Sequence, residues 1–160
     1  MRGNFFISFL ILAIFSACSQ THKPEQPDLL GEKMALLQTD RAFSALCLEK
    51  GIKAAYLEYI DSNGVLLRPD RLPIVGANAI DFIIAQNDTG YQLNWRPESA
   101  FISAAADMGY IYGVYALHPS VQDTVIYGTY VSIWKKQANG KWKFVLDSGN
   151  DGIDAANFEY

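Results

Sequence analysis

The chain has 160 residues, of which half are hydrophobic and 13% are aromatic, and this length and composition predict one domain with a hydrophobic core. The formal net charge is -4 and the longest basic run is the pair Lys135 and Lys136, so nucleic-acid binding, which requires a basic surface, is not expected. The sequence contains no glycine-rich phosphate loop and no metal-binding motif, and neither a cofactor nor a metal ion is predicted.

The first 17 residues have the features of a signal peptide. Arg2 precedes an apolar stretch over residues 5–17, which is shorter than the about 20 residues that a membrane-spanning helix needs. Phe15, Ser16 and Ala17 then precede Cys18, which resembles the lipobox of bacterial lipoproteins, with Phe15 where the common pattern has leucine. The resemblance implies that Cys18 becomes the lipidated N-terminus. The alternative is an ordinary cleaved signal followed by a chance cysteine.

Residues 18–28 are polar, include two prolines and predict a flexible tether after the lipid. By the same resemblance, Ser19 favours the periplasmic face of the outer membrane, with the lipid as the only membrane contact. Lipidation of Cys18 leaves Cys47 unpaired, so no disulfide is expected. The folded domain is predicted over residues 29–150, followed by a polar tail over residues 151–160.

Three helices are predicted in the first half of the domain. Apolar residues at three- and four-residue steps indicate a helix over residues 29–50, with Asp28 as its N-cap and Gly51 at its end. A shorter helix is predicted over residues 52–59 and a third over residues 77–86.

The second half of the domain predicts long strands. A short strand over residues 65–68 ends at Pro69, and the long strands cover residues 91–107, 109–117, 124–137 and 141–147. Phe101 is the expected main packing residue of the first long strand, and Asn139-Gly140 is a strong hairpin signal before the last. The order of elements predicts the α+β class, with three N-terminal helices on one face of a curved antiparallel sheet of four long strands plus a short one.

The expected hairpin register assigns side chains to two faces of this sheet. A turn centred between Ser120 and Val121 places Gly113 opposite Gly128. The first face then carries Ile111, Tyr115, Tyr130, Ser132 and Trp134, and the second carries Tyr110, Tyr112, Val114, Tyr127, Thr129, Val131 and Ile133. A two-residue Asn139-Gly140 turn adds Lys143, Val145 and Asp147 to the first face, and Trp142, Phe144 and Leu146 to the second. The second face is the more apolar, so we expect the helices to cover it.

Several short sequences along the chain point to a known fold. They are Asp40-Arg41-Ala42-Phe43, Arg68-Pro69, Asp107-Met108-Gly109-Tyr110, Gly128-Thr129-Tyr130-Val131 and Asn139-Gly140-Lys141-Trp142. In this order they resemble the SnoaL-like, nuclear transport factor 2-like superfamily, in particular its bacterial branch of domains of unknown function. The resemblance implies a cone-shaped, cystatin-like fold. That fold hosts isomerases, cyclases, dehydratases and binding modules, so it does not specify an activity.

The residues that the resemblance associates with catalysis are missing. Ketosteroid isomerases of this superfamily have a general-base aspartate before a proline, where this chain has Arg68 before Pro69, and a tyrosine on the first helix, where it has Phe43. Dehydratases of the superfamily use a His and Asp pair, but the histidines here are His22 in the tether and His118 in a turn. An enzyme is therefore not favoured.

The remaining candidates are carboxylates and aromatic residues. Asp61, Asp107 and Asp147 are weak catalytic candidates, for which turn capping or a solvated position is the plainer interpretation. Ligand-pocket candidates are Arg68, Trp95, Tyr112, Tyr130 and Trp134. For the aromatic residues the competing interpretation is core packing or a subunit interface, and for Arg68 it is an ion pair with an internal acid such as Asp107.

Three functions follow from these candidates. The favoured one is a lipid-anchored periplasmic domain that binds a small apolar or amphipathic molecule in its cone. The first alternative is an isomerase or lyase that uses Asp147 or Asp61 with a tyrosine. The second is a structural module that forms a homodimer through a sheet face.

Overall fold

The computed structural model describes residues 26–153 and contains two helices and six strands. Helix α1 spans Leu29–Tyr59 and begins after Asp28, whose side chain accepts a hydrogen bond from the Gly31 backbone N–H at 2.9 Å. Gly51, with φ of 85° and ψ of 169°, interrupts α1. This break separates the two helices predicted over residues 29–50 and 52–59. The signal peptide, Cys18 and residues 154–160 lie outside the described residues.

The remaining elements form one sheet with a short helix beside it. They are β1 (Ile60–Leu67), β2 (Ile74–Val75), α2 (Ala77–Ile84), β3 (Tyr91–Ile102), β4 (Met108–Pro119), β5 (Ile126–Lys136) and β6 (Trp142–Ile153). The strand order is β2-β1-β6-β5-β4-β3, in which β1 and β6 are parallel and all other neighbours are antiparallel. The predicted α+β class is confirmed, with one parallel pair and a second short strand in the predicted antiparallel sheet. No helix among residues 26–153 is both long and apolar enough to cross a membrane.

Several element boundaries differ from the prediction. Residues 61–64, predicted as a turn, lie within β1, where the pairing with β6 shifts between Ile60 and Val65. Residues 103–107, predicted as strand, form the turn between β3 and β4. β6 continues to Ile153, so the predicted tail begins within a strand.

Phe101 is 48% exposed, whereas its neighbour Ala100 is fully buried opposite Ile111, so Phe101 is not the main packing residue of β3.

The β4–β5 register is shifted by two residues from the predicted one. Gly113 lies opposite Tyr130, and Gly128 lies opposite Tyr115. A shift of two leaves every side chain on its predicted face, because the side chains of a strand alternate with period two. A Cβ atom at Gly113 would lie 2.7 Å from Tyr130 Cε1, so this glycine makes room for the tyrosine ring.

The helices cover the first face of the sheet, and the prediction that they cover the second is wrong. Ile111, Ser132 and Trp134 of the first face are at most 1% exposed. Tyr110 and Tyr112 of the second face are 42% and 45% exposed. The first face is the more apolar because β6 adds aromatic residues to it.

Two local irregularities place those aromatic residues. Residues 138–140 form a three-residue turn, in which Gly140 has φ of 81° and the Gln137 N–H donates to the Lys141 carbonyl, instead of a two-residue turn. The extra residue pairs Trp142 with Lys136 and Phe144 with Trp134, on the first face. A β-bulge at Val145 then restores the predicted pairing, so that Asp147 lies opposite Ser132.

Phe43 of α1 is the centre of the core. It is 2% exposed, and its ring lies 4.6–6.1 Å, between centroids, from five other aromatic rings. These rings belong to Tyr56, Tyr59, Trp95, Trp134 and Phe144. Phe43 thus joins both arms of α1 to the first face of the sheet. Buried Cys47, a free thiol, lies one turn further along the same helix.

Candidate functional site

A cavity of about 490 Å³, the central cavity, lies beside the aromatic core. Its walls come from both arms of α1, from β3 to β6 and from the segment after β1. Most wall residues are aromatic or aliphatic, among them Phe43, Tyr56, Leu93, Trp95, Tyr115 and Tyr130. The cavity therefore suits a small molecule with a largely apolar surface.

An ion pair between Arg68 and Asp147 lies in the polar part of the wall, to which Ser132, Ser148 and Asp151 also belong. Arg68 Nη2 donates to Asp147 Oδ1 at 2.7 Å, and the side chains are 22% and 8% exposed. Arg68 Nη1 also donates to the backbone carbonyls of Leu67 and Asp147, at 2.9 and 3.2 Å. Burial is the largest single effect and lowers the pKa of Arg68, but the charges and hydrogen bonds of Asp147 and Tyr56 together outweigh it, so the pKa is raised. The internal acid that pairs with Arg68 is thus Asp147, and not Asp107.

Two hydroxyl groups complete the surroundings of Asp147. Ser132 donates to Asp147 Oδ2 at 2.8 Å, and the Tyr56 hydroxyl donates to Oδ1 at 3.3 Å. Burial raises the pKa of Tyr56 well above its usual value, and the charge of Asp147 raises it further. Both oxygens of Asp147 are therefore engaged by donors, and the ion pair is held in one geometry.

A second buried carboxylate, Asp40 of α1, lies behind the cavity wall. It is fully buried and accepts a hydrogen bond at Oδ2 from the Tyr130 hydroxyl, at 2.7 Å. Sequence reasoning did not single out Asp40 as a functional residue. A signal was present, because Leu36, Asp40 and Phe43 are spaced by four and three residues and so share the apolar stripe of the helix.

No protein-family model and no curated protein matches the chain. Solved structures do match it. An NTF2-like protein with a cystatin-like fold from Novosphingobium aromaticivorans is 14% identical, with a TM-score of 0.60 over 76% of this chain and 82% of that one. The chain has the nuclear transport factor 2-like fold.

Two further similar structures carry the names of enzymes. A putative scytalone dehydratase from Novosphingobium aromaticivorans is 13% identical, with a TM-score of 0.62 over 78% of this chain and 86% of that one. A ketosteroid isomerase-like protein from Erwinia carotovora atroseptica is 12% identical, with a TM-score of 0.59 over 75% and 96%. At these identities the likeness establishes the nuclear transport factor 2-like fold and not an activity.

The nuclear transport factor 2-like fold brings four of the predicted site residues to one cavity. Arg68, Trp95, Tyr130 and Asp147 all line it. Asp147 is 5% exposed, so the expectation of a solvated position does not apply to it.

The other predicted site residues lie elsewhere. Tyr112 is on the second face of the sheet, which the helices leave uncovered and which is called the outer face from here on. Trp134 is fully buried in the core, so neither residue lines the cavity. Asp61 lies at the start of β1, where it accepts a hydrogen bond from the Asn63 N–H at 2.9 Å. Asp107 accepts one from the Ser103 hydroxyl at 2.7 Å in the β3–β4 turn. Among residues 26–153, no group of three or more His, Cys, Asp or Glu side chains is arranged to hold a metal ion.

Proposed function

We propose that this chain is an exported, lipid-anchored domain that binds a small, largely apolar molecule with one polar group in its central cavity. The observation that carries the proposal is the cavity itself, which has aromatic and aliphatic walls and the Arg68–Asp147 pair at its polar part. A volume of about 490 Å³ lies within the range of small-molecule sites, roughly 300–1,000 Å³. The polar group of the ligand would contact Arg68, Asp147 or a neighbouring hydroxyl.

Binding is favoured over catalysis by the state of the carboxylates. Of the two acids named for an isomerase or lyase, Asp61 accepts a hydrogen bond from the Asn63 N–H and is not in the cavity wall. Asp147 is in the wall, but it is paired with Arg68 at 2.7 Å and accepts from Ser132 and Tyr56. Both oxygens of Asp147 thus already accept hydrogen bonds from protein groups, and neither is left unengaged to receive a proton from a bound molecule.

A side chain that fills the central cavity should weaken the binding of the small molecule. Gly149 lines the cavity, and a Cβ atom there would make ordinary contacts, 3.5 Å from Tyr115 Cε1 and 3.6 Å from the Thr129 carbonyl oxygen. Gly149→Leu therefore places an apolar side chain in the cavity without a clash at Cβ. We expect affinity for the ketone α-tetralone, measured by isothermal titration calorimetry on the chain from Ser19 onward, to fall by about tenfold or more.

Asn150→Leu is the matched control for the cavity. Asn150 is the exposed neighbour of Gly149 on the opposite face of β6, so the same side chain is added outside the cavity. This variant should bind α-tetralone as the unchanged chain does. An equal loss in both variants would contradict binding in the central cavity, as would the absence of any binding by the unchanged chain.

The proposed anchor makes a separate prediction. If Cys18 carries the lipid, Cys18→Ala should lose incorporation of radiolabelled palmitate and leave the membrane fraction of the producing bacteria. Cys47→Ala is the control, because Cys47 is buried in the core of the domain and should not be acylated. Labelling that persists in Cys18→Ala would refute the anchor.

A homodimer through the outer sheet face is a second candidate, favoured by the apolar side chains exposed there. Phe101, Tyr110, Tyr112 and Val131 are each 36–48% exposed. Such a patch is typical of a surface that contacts a partner. Light scattering on the chain from Ser19 onward should then give the mass of a dimer, and Tyr112→Lys should give that of a monomer. A monomer before substitution would exclude this candidate.

A further inference from the structure

The two oxygens of a buried acid next to the cavity have different surroundings. Asp40 is fully buried, and its Oδ2 accepts from the Tyr130 hydroxyl at 2.7 Å. Its Oδ1 is also buried but makes no hydrogen bond of normal geometry. Tyr130 in turn lines the central cavity. Asp40 is therefore one hydrogen bond away from a residue that a bound molecule would touch.

The groups around Asp40 come from four elements of the fold. Burial raises the pKa of Asp40 to about 7. The hydrogen bond from Tyr130 on β5 lowers this pKa, and the negative charge of Asp147 on β6 raises it. The Trp95 side chain on β3 and the charge of Arg41 on α1 lower it by smaller amounts. Asp40 thus gains or loses its proton near neutral pH.

Tyr130 keeps its proton over the same pH range. Burial raises the pKa of Tyr130 far above its usual value, and the negative charges of Asp40 and of Glu98 on β3 add to this effect. The pair therefore holds either one or two protons at neutral pH, and the variable proton belongs to Asp40.

The two charge states of Asp40 require different orientations of the Tyr130 hydroxyl. An ionised carboxylate only accepts hydrogen bonds, so Tyr130 gives its single proton to Oδ2 and its oxygen offers only lone pairs to the cavity. A proton on Asp40 is stabilised at Oδ2, where the Tyr130 oxygen can accept it, because the buried Oδ1 has no hydrogen-bond acceptor beside it. The acid then donates to Tyr130, and the phenolic proton is free to point toward the cavity.

We propose that Asp40 is a specificity-determining residue, which makes Tyr130 a hydrogen-bond acceptor toward the bound molecule when Asp40 is ionised and a donor when it is protonated. The inference rests on the proposed binding function and adds the ligand class. A carbonyl group only accepts, so Tyr130 holds it in the protonated state alone, whereas a hydroxyl group suits both states. The cavity therefore accepts carbonyl-bearing apolar molecules below neutral pH and discriminates against them above it, whereas hydroxyl-bearing ones bind at either pH.

A matched pair of probes tests this selection. α-Tetralone and α-tetralol have the same carbon skeleton and differ in a carbonyl or a hydroxyl group. On the chain from Ser19 onward, the Kd of the ketone should rise roughly three- to tenfold between about pH 5.5 and about pH 8.5, the worth of one hydrogen bond, and that of the alcohol by less than about twofold. The same pH dependence for both probes, or none for either, would overturn the proposal.

Variants identify the groups that cause the effect. Tyr130→Phe removes the hydroxyl, so the affinity for the ketone should no longer depend on pH, and Asp40→Asn should remove the dependence by abolishing the titration. Tyr112→Phe, the same change on the outer face, should keep it. A pH dependence that persists in Tyr130→Phe would contradict the proposal even if Asp40→Asn does not fold.

A measurement without ligand separates this inference from the proposed function. Carbon-13 NMR of the unchanged chain should show the Asp40 carboxyl and the Tyr130 Cζ titrating with one midpoint near neutral pH. An Asp40 titration that leaves Tyr130 Cζ unaffected would refute the coupling.

If neither probe binds, the proposed function and the ligand class both fail. If both bind without differential pH dependence, the binding function stands and the role of Asp40 fails.

Discussion

Replacing Asp147 with alanine is expected to lower the free energy of unfolding by about 3–5 kcal/mol, the usual cost of removing one partner from a buried ion pair. Arg68, only 22% exposed, would keep its charge without the carboxylate that lies 2.7 Å away. The hydroxyls of Ser132 and Tyr56 would lose their acceptor at the same time. Urea denaturation of the chain from Ser19 onward measures the change.

Asp123→Ala is the control for this substitution, because Asp123 is exposed in the β4–β5 turn and its replacement should change stability by less than about 0.5 kcal/mol. Asp147→Asn should lose an amount of stability between those of Asp123→Ala and Asp147→Ala, since the amide oxygen still accepts hydrogen bonds but the negative charge is lost. A loss below about 1 kcal/mol in Asp147→Ala would mean that water replaces the carboxylate, and that the pair is effectively solvated.

Replacing Phe43 with alanine is expected to lower the free energy of unfolding by a similar amount, about 3–5 kcal/mol, because the substitution leaves a cavity in the core. Phe43 is 2% exposed, and its ring contacts rings from both arms of α1 and from the sheet. Because Phe43 also lines the central cavity, the same substitution should enlarge that cavity. Urea denaturation measures the stability, and binding of a probe bulkier than α-tetralone measures the enlargement.

The exposed Phe101 provides the comparison. Phe101→Ala removes the same side chain from the outer face, where it is 48% exposed, and should cost less than about 1.5 kcal/mol, including its stacking on Tyr110. Similar losses at Phe43 and Phe101 would contradict the assignment of the helices to the first face. Phe43→Leu should lose less stability than Phe43→Ala, because less side-chain volume is removed from the core.

The fold was predictable where it depends on local signals. The three-residue and four-residue spacing of apolar side chains indicated the first arm of α1, and Gly51 marked its end, because only glycine adopts positive φ at low cost. Alternating patterns and the Asn139-Gly140 pair indicated β4 to β6. The short motifs shared with the nuclear transport factor 2-like superfamily then gave the cystatin-like arrangement, which the solved structures confirm.

The side of the sheet that the helices cover was not predictable in this way. A turn longer by one residue moves Trp142 and Phe144 from one face to the other, and the turn length cannot be determined from Asn139-Gly140 alone. With those two residues assigned to the wrong face, the second face seemed the more apolar, although it is the first that the helices bury.

The candidate site was predictable only in part. The aromatic residues and Arg68 could be proposed from their chemistry, but Tyr112 and Tyr130 look alike in sequence and lie on opposite faces. The pairing of Arg68 with Asp147 joins residues that are 79 positions apart through the parallel contact of β1 with β6. A parallel pair of strands leaves no turn between them, so the sequence carries no local signal for it.

The turn at residues 138–140 and the bulge at Val145 displace β6 by one residue in opposite senses. The strand is thereby divided into two segments with separate constraints, an aromatic one that completes the core and a polar one that carries Asp147. If Val145 were paired regularly and did not bulge, Phe144 would lie opposite Lys135 and leave the first face. A change in turn length that keeps Gln137 paired with Lys141 leaves these pairings as they are, so the tip of the domain can diverge in evolution while the geometry of the cavity is inherited unchanged.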